Sequence, residues 1–260
     1  MQLLTMMMWT PFIFALSILV CASVFDFRAR EVSNLVWLFA YPIGCTMTLL
    51  GLVFNLLEVG TVLVSLVASL ILGFVLLCTG FYGGADVKAL VFVGLTLPTL
   101  PITFNPALNV PALPLVLVIF CNSALLSLIW PLSIFILNLK NFLKGPSLFE
   151  GIKLSICEKM LLLFTTRRIS LEVLERGLRY FPAETVVFQE DKPTRKLLHL
   201  MKAETNLTKH QTKLKEHKEL YKTGVLASPT IPSIVFFAIA IAVAPLGSLF
   251  LWMITLLGVI

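Results

Sequence analysis

Six stretches of the chain are apolar for about the length needed to cross a bilayer, roughly 20 residues each. They cover residues 3–25, 32–54, 61–79, 87–104, 112–139 and 228–253. The fourth is interrupted by Pro98 and Pro101 in its far half, and the first carries Pro11 early enough to be tolerated as a kink. Between the fifth and sixth stretches lies one long polar insertion, residues 140–227. The pattern predicts an all-α polytopic membrane protein with six transmembrane helices. Residues 1–139 form a five-helix membrane domain, 140–227 a small mixed α/β domain, and 228–260 the sixth helix. Within the insertion, residues 169–178 read as helix. Thr185–Phe188 reads as strand from its β-branched and aromatic character. Residues 195–221 carry leucines spaced loosely along one helical face.

Composition agrees with this pattern. Of 260 residues, 58% are hydrophobic and 13% charged, and mean hydropathy is +0.96. A disordered chain, a soluble helical domain and a disulfide-stapled secreted domain are all excluded. The five cysteines, at 21, 45, 78, 121 and 157, form no CxxC pair, so neither a zinc ribbon nor a redox pair is supported. The N-terminus lacks the basic n-region of a cleaved signal peptide, and Met1 onward is expected to be retained.

The net charge of +6 is first a topology signal, and no nucleic-acid partner is expected. Arg28 and Arg30 lie between the first two apolar stretches, Lys88 at the mouth of the fourth, and the other 17 of the 20 Lys and Arg in residues 140–222. The connections 55–60 and 105–111 contain none. A single orientation places every basic residue in the cytoplasm: N-terminus outside, six spans, insertion inside. The insertion, net +7 over residues 140–225, reads as a cytoplasmic domain against the bilayer, attracted to anionic lipid, or as a solvated charged helix.

Three aspartates occur in the chain, and Asp191 in the polar insertion needs no explanation. Asp26 ends the first apolar stretch and Asp86 opens the fourth. Carboxylates at membrane borders are functional suspects. The derived topology puts both at the cytoplasmic end, where two packed helices can bring them together, helped by the small Gly83 and Gly84. Two neighbouring carboxyls share a proton, so that one activates water as a base while the other acts as an acid. Such chemistry needs no metal and no cofactor. The plain alternatives are an N-cap role for Asp86 and pairing of Asp26 with Arg28 or Arg30. A proton- or cation-coupled transporter using the same two aspartates is the competing function. It predicts charges nearer mid-span and repeat symmetry, neither of which the sequence has.

The segment Gly83-Gly84-Ala85-Asp86-Val87-Lys88 resembles the G-x-(G or small hydrophobic)-D-x-K signature of the type IV prepilin peptidases, GxGD-like membrane aspartic proteases. Asp26 followed eight residues later by Asn34 is similar to that family's first-aspartate motif. Ala85, where bacterial members have Gly, is similar to the archaeal preflagellin and prepilin peptidases. The methylation activity of bacterial members is not carried over, because the chain has no paired CxxC. The resemblance implies a catalytic dyad of Asp26 and Asp86, with Gly83, Gly84, Ala85, Lys88 and Asn34 as active-site loop and support. It implies a multi-pass cell-membrane endopeptidase that removes the class III signal peptide from preflagellin or pilin-like precursors at the cytoplasmic side. Lys88 reads equally as a snorkelling anchor, Gly83 and Gly84 as a tight loop, and Asn34 as a cap of the second helix. Glu31 is the candidate for meeting the basic n-region of the substrate.

Overall fold

The computed structural model describes residues 2–80, 82–101, 113–142, 148–149, 152, 154–175, 179–189, 192–197, 216, 218–221 and 224–257. The chain separates into two compact units, Met1–Ser127 with Pro232–Ile260, and Leu128–Ile231.

The first unit is helical: α1 (Gln2–Ala29), α2 (Asn34–Val53), α3 (Val59–Thr79), α4 (Gly84–Thr96) and α5 (Leu115–Ser127), followed after the second unit by α9 (Ser233–Val243) and α10 (Leu249–Leu256). Each long helix buries one stripe. On α1 the stripe is Phe12, Ala15, Leu19 and Ala22; on α2 it is Trp37, Ala40, Gly44, Thr48 and Gly51; on α3 it is Val62, Ser65, Ser69, Gly73 and Leu76. The spacing of three or four residues is that of one helical face. The outer faces expose Leu, Val, Ile and Phe in quantity, as expected where lipid is the solvent.

The central element is α4. It packs against α1, α2, α3, α5 and α9, and Ala89, Leu90, Phe92, Val93 and Gly94 are all buried. Apolar burial distinguishes helix from lipid poorly, so close approach and hydroxyl bonds hold such contacts. Ser65 Oγ donates to Gly94 O at 2.9 Å and Thr48 Oγ1 to Leu95 O at 2.6 Å. A Cβ on Gly94 would lie 2.5 Å from the Ser69 side chain.

The protein is mostly helical, with a small sheet region. Among the described residues, four stretches are long and apolar enough to cross a membrane, Met8–Ala29, Asn34–Val53, Val59–Thr79 and Leu115–Asn141; a fifth is added if the bent pair Ser233–Leu246 and Leu249–Leu256, with 62° between its halves, counts as one span. This is coarser than six continuous spans. In the fourth apolar stretch the described helix stops at Thr96, where Pro98 biases Leu97 away from helical backbone, and residues 102–112 lie outside the described residues. In the sixth, Gly247 adopts φ 104° and breaks the helix. The break occurs among apolar side chains, yet its polar groups are satisfied. Buried Asn122 on α5 donates Nδ2 to Gly247 O at 3.0 Å and accepts from Leu249 N at 2.8 Å.

The second unit contains α6 (Ile129–Phe142), α7 (Ile156–Thr165), α8 (Leu171–Glu175), and strands β1 (Arg167–Ile169), β2 (Tyr180–Pro182), β3 (Glu184–Gln189), β4 (Lys192–Leu197) and β5 (Val225–Pro229). The strands form a three-stranded antiparallel sheet, β1-β5-β2, and a β3-β4 hairpin. β3 covers the expected Thr185–Phe188 strand. The helix expected over 169–178 is instead the end of β1 followed by the short α8, because Ile169 pairs with Val225 across the sheet; residues 176–178 lie outside the described residues. Of the helical face expected over 195–221, Arg195 to Leu197 belong to β4 and 218–221 to a 3₁₀ turn. Residues 198–215 and His217 lie outside the described residues. Glu184, fully buried, holds this unit's elements together: it pairs with Arg195 at 2.7 Å and accepts from Leu226 N at 2.7 Å.

Candidate active site

Both aspartates sit in the first unit, on helices that the core packs side by side. Asp26 lies in the last turn of α1, which ends where Arg30 takes φ 56°. Ser33 then caps α2, its hydroxyl accepting from Leu35 N at 3.3 Å, and Asn34 is the first residue of that helix. Asp86 is the third residue of α4, and its Oδ2 accepts from Gly83 N at 2.9 Å. Gly83 is the N-cap position itself and has no side chain to reciprocate, so Asp86 supplies the only side-chain cap of this helix start. The plain alternative of Asp86 as N-cap is thus refined: it caps from the third position, through one carboxyl oxygen.

The same end of the unit gathers the rest. Lys88 Nζ donates to Asn34 Oδ1 at 2.7 Å, joining α4 to α2. Tyr41 Oη donates to the Lys88 carbonyl at 2.9 Å, two turns further along α2. Asp26 Oδ2 accepts from Ile234 N, in the first turn of α9, at 3.3 Å. The charge of Arg30 acts on Asp26, and the charge of Asp26 acts on Asp86. The two carboxyls, 60 positions apart in sequence, therefore share one electrostatic environment. Both are half-buried, whereas Gly83 and Gly84 are exposed. Ala85 packs against the core beneath. Glu31 is exposed, five residues beyond Asp26, and makes no hydrogen bond or ion pair among the described residues.

Two contributors were not singled out by the sequence. One is the start of α9, which reaches Asp26 across 208 positions; nothing in the local sequence of Pro232-Ser233-Ile234 marks it. The other is Tyr82, whose ring stacks on Phe237 of α9 at 6.3 Å and 17° and lies 6.0 Å from Phe120 of α5. An aromatic residue directly before the glycine pair was the only signal for it. Among the described residues, no three His, Cys, Asp or Glu gather as metal ligands.

The arrangement offers two carboxyls near enough for the charge of one to act on the other, backbone N–H groups that hold one oxygen of each, and an exposed glycine pair. Such a pair can pass protons to and from a water between them.

Comparison with known proteins matches residues 13–132 to the type IV leader peptidase family. A preflagellin peptidase from Methanococcus voltae is 26% identical over 149 residues, a match covering 54% of this chain and 63% of that protein. The chain thus spans somewhat less than two thirds of that relative's length. The matched stretch, a little under half of the chain, contains Asp26, Asn34, the Gly83 to Lys88 loop and most of the helices that bring them together, and over it the chain is similar to the type IV leader peptidases.

Proposed function

We propose that the protein is a membrane aspartic endopeptidase. It removes the short basic leader, a class III signal peptide, from preflagellin or type IV pilin-like precursors at the cytoplasmic face of the cell membrane. The observation that carries this reading is the convergence of Asp26 and Asp86 at one end of the helical unit, each anchored by a backbone N–H, with the charge of Asp26 acting on Asp86. The basic residues flanking this end make it the cytoplasmic one under the positive-inside rule. The relative from Methanococcus is named for cleaving a preflagellin, which supports the substrate class.

One carboxylate takes a proton from a water held between the pair as the water oxygen bonds to the scissile carbonyl carbon. The other, protonated carboxyl gives its proton to the carbonyl oxygen, and a gem-diol forms. Collapse then breaks the C–N bond. The leaving nitrogen receives the proton held by the first carboxyl, and one gem-diol hydroxyl returns a proton to the second. The pair ends as it began, with one proton between them. Lys88 and Asn34 fix the α4 start against α2, and exposed Glu31 meets the basic leader. The precursor's apolar segment stays in the bilayer.

Co-expression with an epitope-tagged preflagellin, followed by size on a gel, tests this. Wild type converts the precursor, and Asp26→Asn and Asp86→Asn each leave it uncut, a loss of at least about 10³-fold. The rate of the wild type falls on both the acid and the alkaline side, because only the singly protonated pair works. Cleavage that survives either substitution ends the dyad proposal.

A further inference from the structure

We propose that Tyr82 is a third catalytic residue of this site, its phenol donating a hydrogen bond to the carbonyl oxygen of the scissile peptide. The inference rests on the endopeptidase reading and supplies a donor which that reading does not yet contain.

The ring is linked to the anchors of both carboxyls through its neighbours. Tyr82 directly precedes Gly83, and Asp86 Oδ2 binds the Gly83 N–H at 2.9 Å. One carboxyl therefore lies against the peptide that leaves Tyr82. The ring stacks on Phe237, one turn along α9 from Ile234, whose N–H holds Asp26 Oδ2. Phe120 closes on the ring from α5 at 6.0 Å and 54°. Two aromatic neighbours from separate helices fix the ring plane, so the phenol is held at low entropic cost. The ring is half-buried, and its hydroxyl makes no hydrogen bond with any described residue. The neighbouring side-chain donor, Lys88 Nζ, is engaged by Asn34. The Gly83 and Ile234 N–H groups are engaged by the carboxylates themselves. A clamped, unengaged O–H beside a proton-sharing pair is a preorganised donor for the oxygen on which negative charge builds. The phenol keeps its proton throughout. The new O–C bond comes from water, and the proton that neutralises the carbonyl oxygen comes from the protonated carboxyl.

The test uses the purified full chain in detergent with a tagged precursor. Tyr82→Phe keeps both ring contacts and removes only the hydroxyl. The expected result is a kcat about 10²-fold lower with KM changed by less than about two-fold. An unchanged melting temperature shows that the fold is intact. A second arm places 3,5-difluorotyrosine at position 82, which acidifies the phenol while filling nearly the same space. If the proton must stay on the phenol, the alkaline limb of kcat moves to lower pH. A ring that only packs leaves that limb in place. Tyr82→Phe at the wild-type rate overturns the proposal; should Tyr82→Phe not fold, a fluorinated enzyme whose kcat matches wild type at every pH, on the limb and on the plateau alike, overturns it. Asp26→Asn and Asp86→Asn are run alongside. If both are inactive while Tyr82→Phe is fully active, the role of Tyr82 fails and the dyad stands. If either Asn variant still cleaves, the endopeptidase reading fails and the phenol's role goes with it.

Discussion

At the scale of single residues, the site is a set of short contacts between positions far apart in the chain. Lys88 is the clearest case. Its ammonium could have snorkelled to the headgroups, but at 2.7 Å from Asn34 Oδ1 it ties the start of α4 to the start of α2. Lys88→Met keeps much of the apolar stem and removes the bond. The expected outcome is a several-fold to about ten-fold loss of precursor cleavage, with membrane insertion unchanged on carbonate extraction. Asn34→Ala, measured in the same assay, gives a loss of similar size, and the double variant is little worse than either single, because both remove one contact. The aspartates, the lysine and the asparagine were legible as residue types at membrane borders. The N–H of Ile234 was not, because a backbone donor has no letter of its own and its acceptor lies 208 positions away.

At the scale of elements, hydropathy found the helices but not their breaks. The apolar stretch near the C-terminus reads as one span, yet it turns by 62° at Gly247, and the exposed backbone groups are met by Asn122. One asparagine in an otherwise apolar helix gives no hint of which partner it serves. Asn122→Leu leaves the Gly247 carbonyl and the Leu249 N–H without that partner, at a cost of about 2–4 kcal/mol for two buried polar groups. The expected readout is a lower unfolding midpoint in detergent, with Asn122→Gln recovering part of the loss. In the second unit the sheet overrode local preference in the same way: Ile169 is drawn into β1 by Val225, where the local pattern favoured helix. Glu184 shows the electrostatic counterpart. A buried carboxylate is tolerable only when paired, and Arg195 with the Leu226 N–H supplies that pairing. Burial, reinforced by Glu184 and opposed by Arg195, also pushes the Tyr221 phenol well above its usual range. The fold keeps the neutral phenol, so this contribution is complete below about pH 10 and fades as pH rises further.

At the scale of the whole molecule, orientation is a property of charge rather than of packing. It follows from where Lys and Arg fall along the chain. It predicts that Glu31 and Glu58, which follow α1 and α2 respectively, face opposite compartments. In a cysteine-free background, Glu31→Cys reacts with a membrane-impermeant maleimide only after the cells are opened, whereas Glu58→Cys reacts in intact cells. Labelling of both from the same side would remove the cytoplasmic assignment of the site. By itself the sequence determined the membrane character, the apolar stretches and the two acidic motifs, because hydropathy and charge add along a chain and need no knowledge of neighbours. Only the tertiary structure decided that α4 lies at the centre of its unit, that α9 holds Asp26, and that Tyr82 is clamped between Phe120 and Phe237. Those facts depend on contacts of a few ångströms between helices distant in sequence, and packing of that kind leaves no periodic trace in the order of the residues.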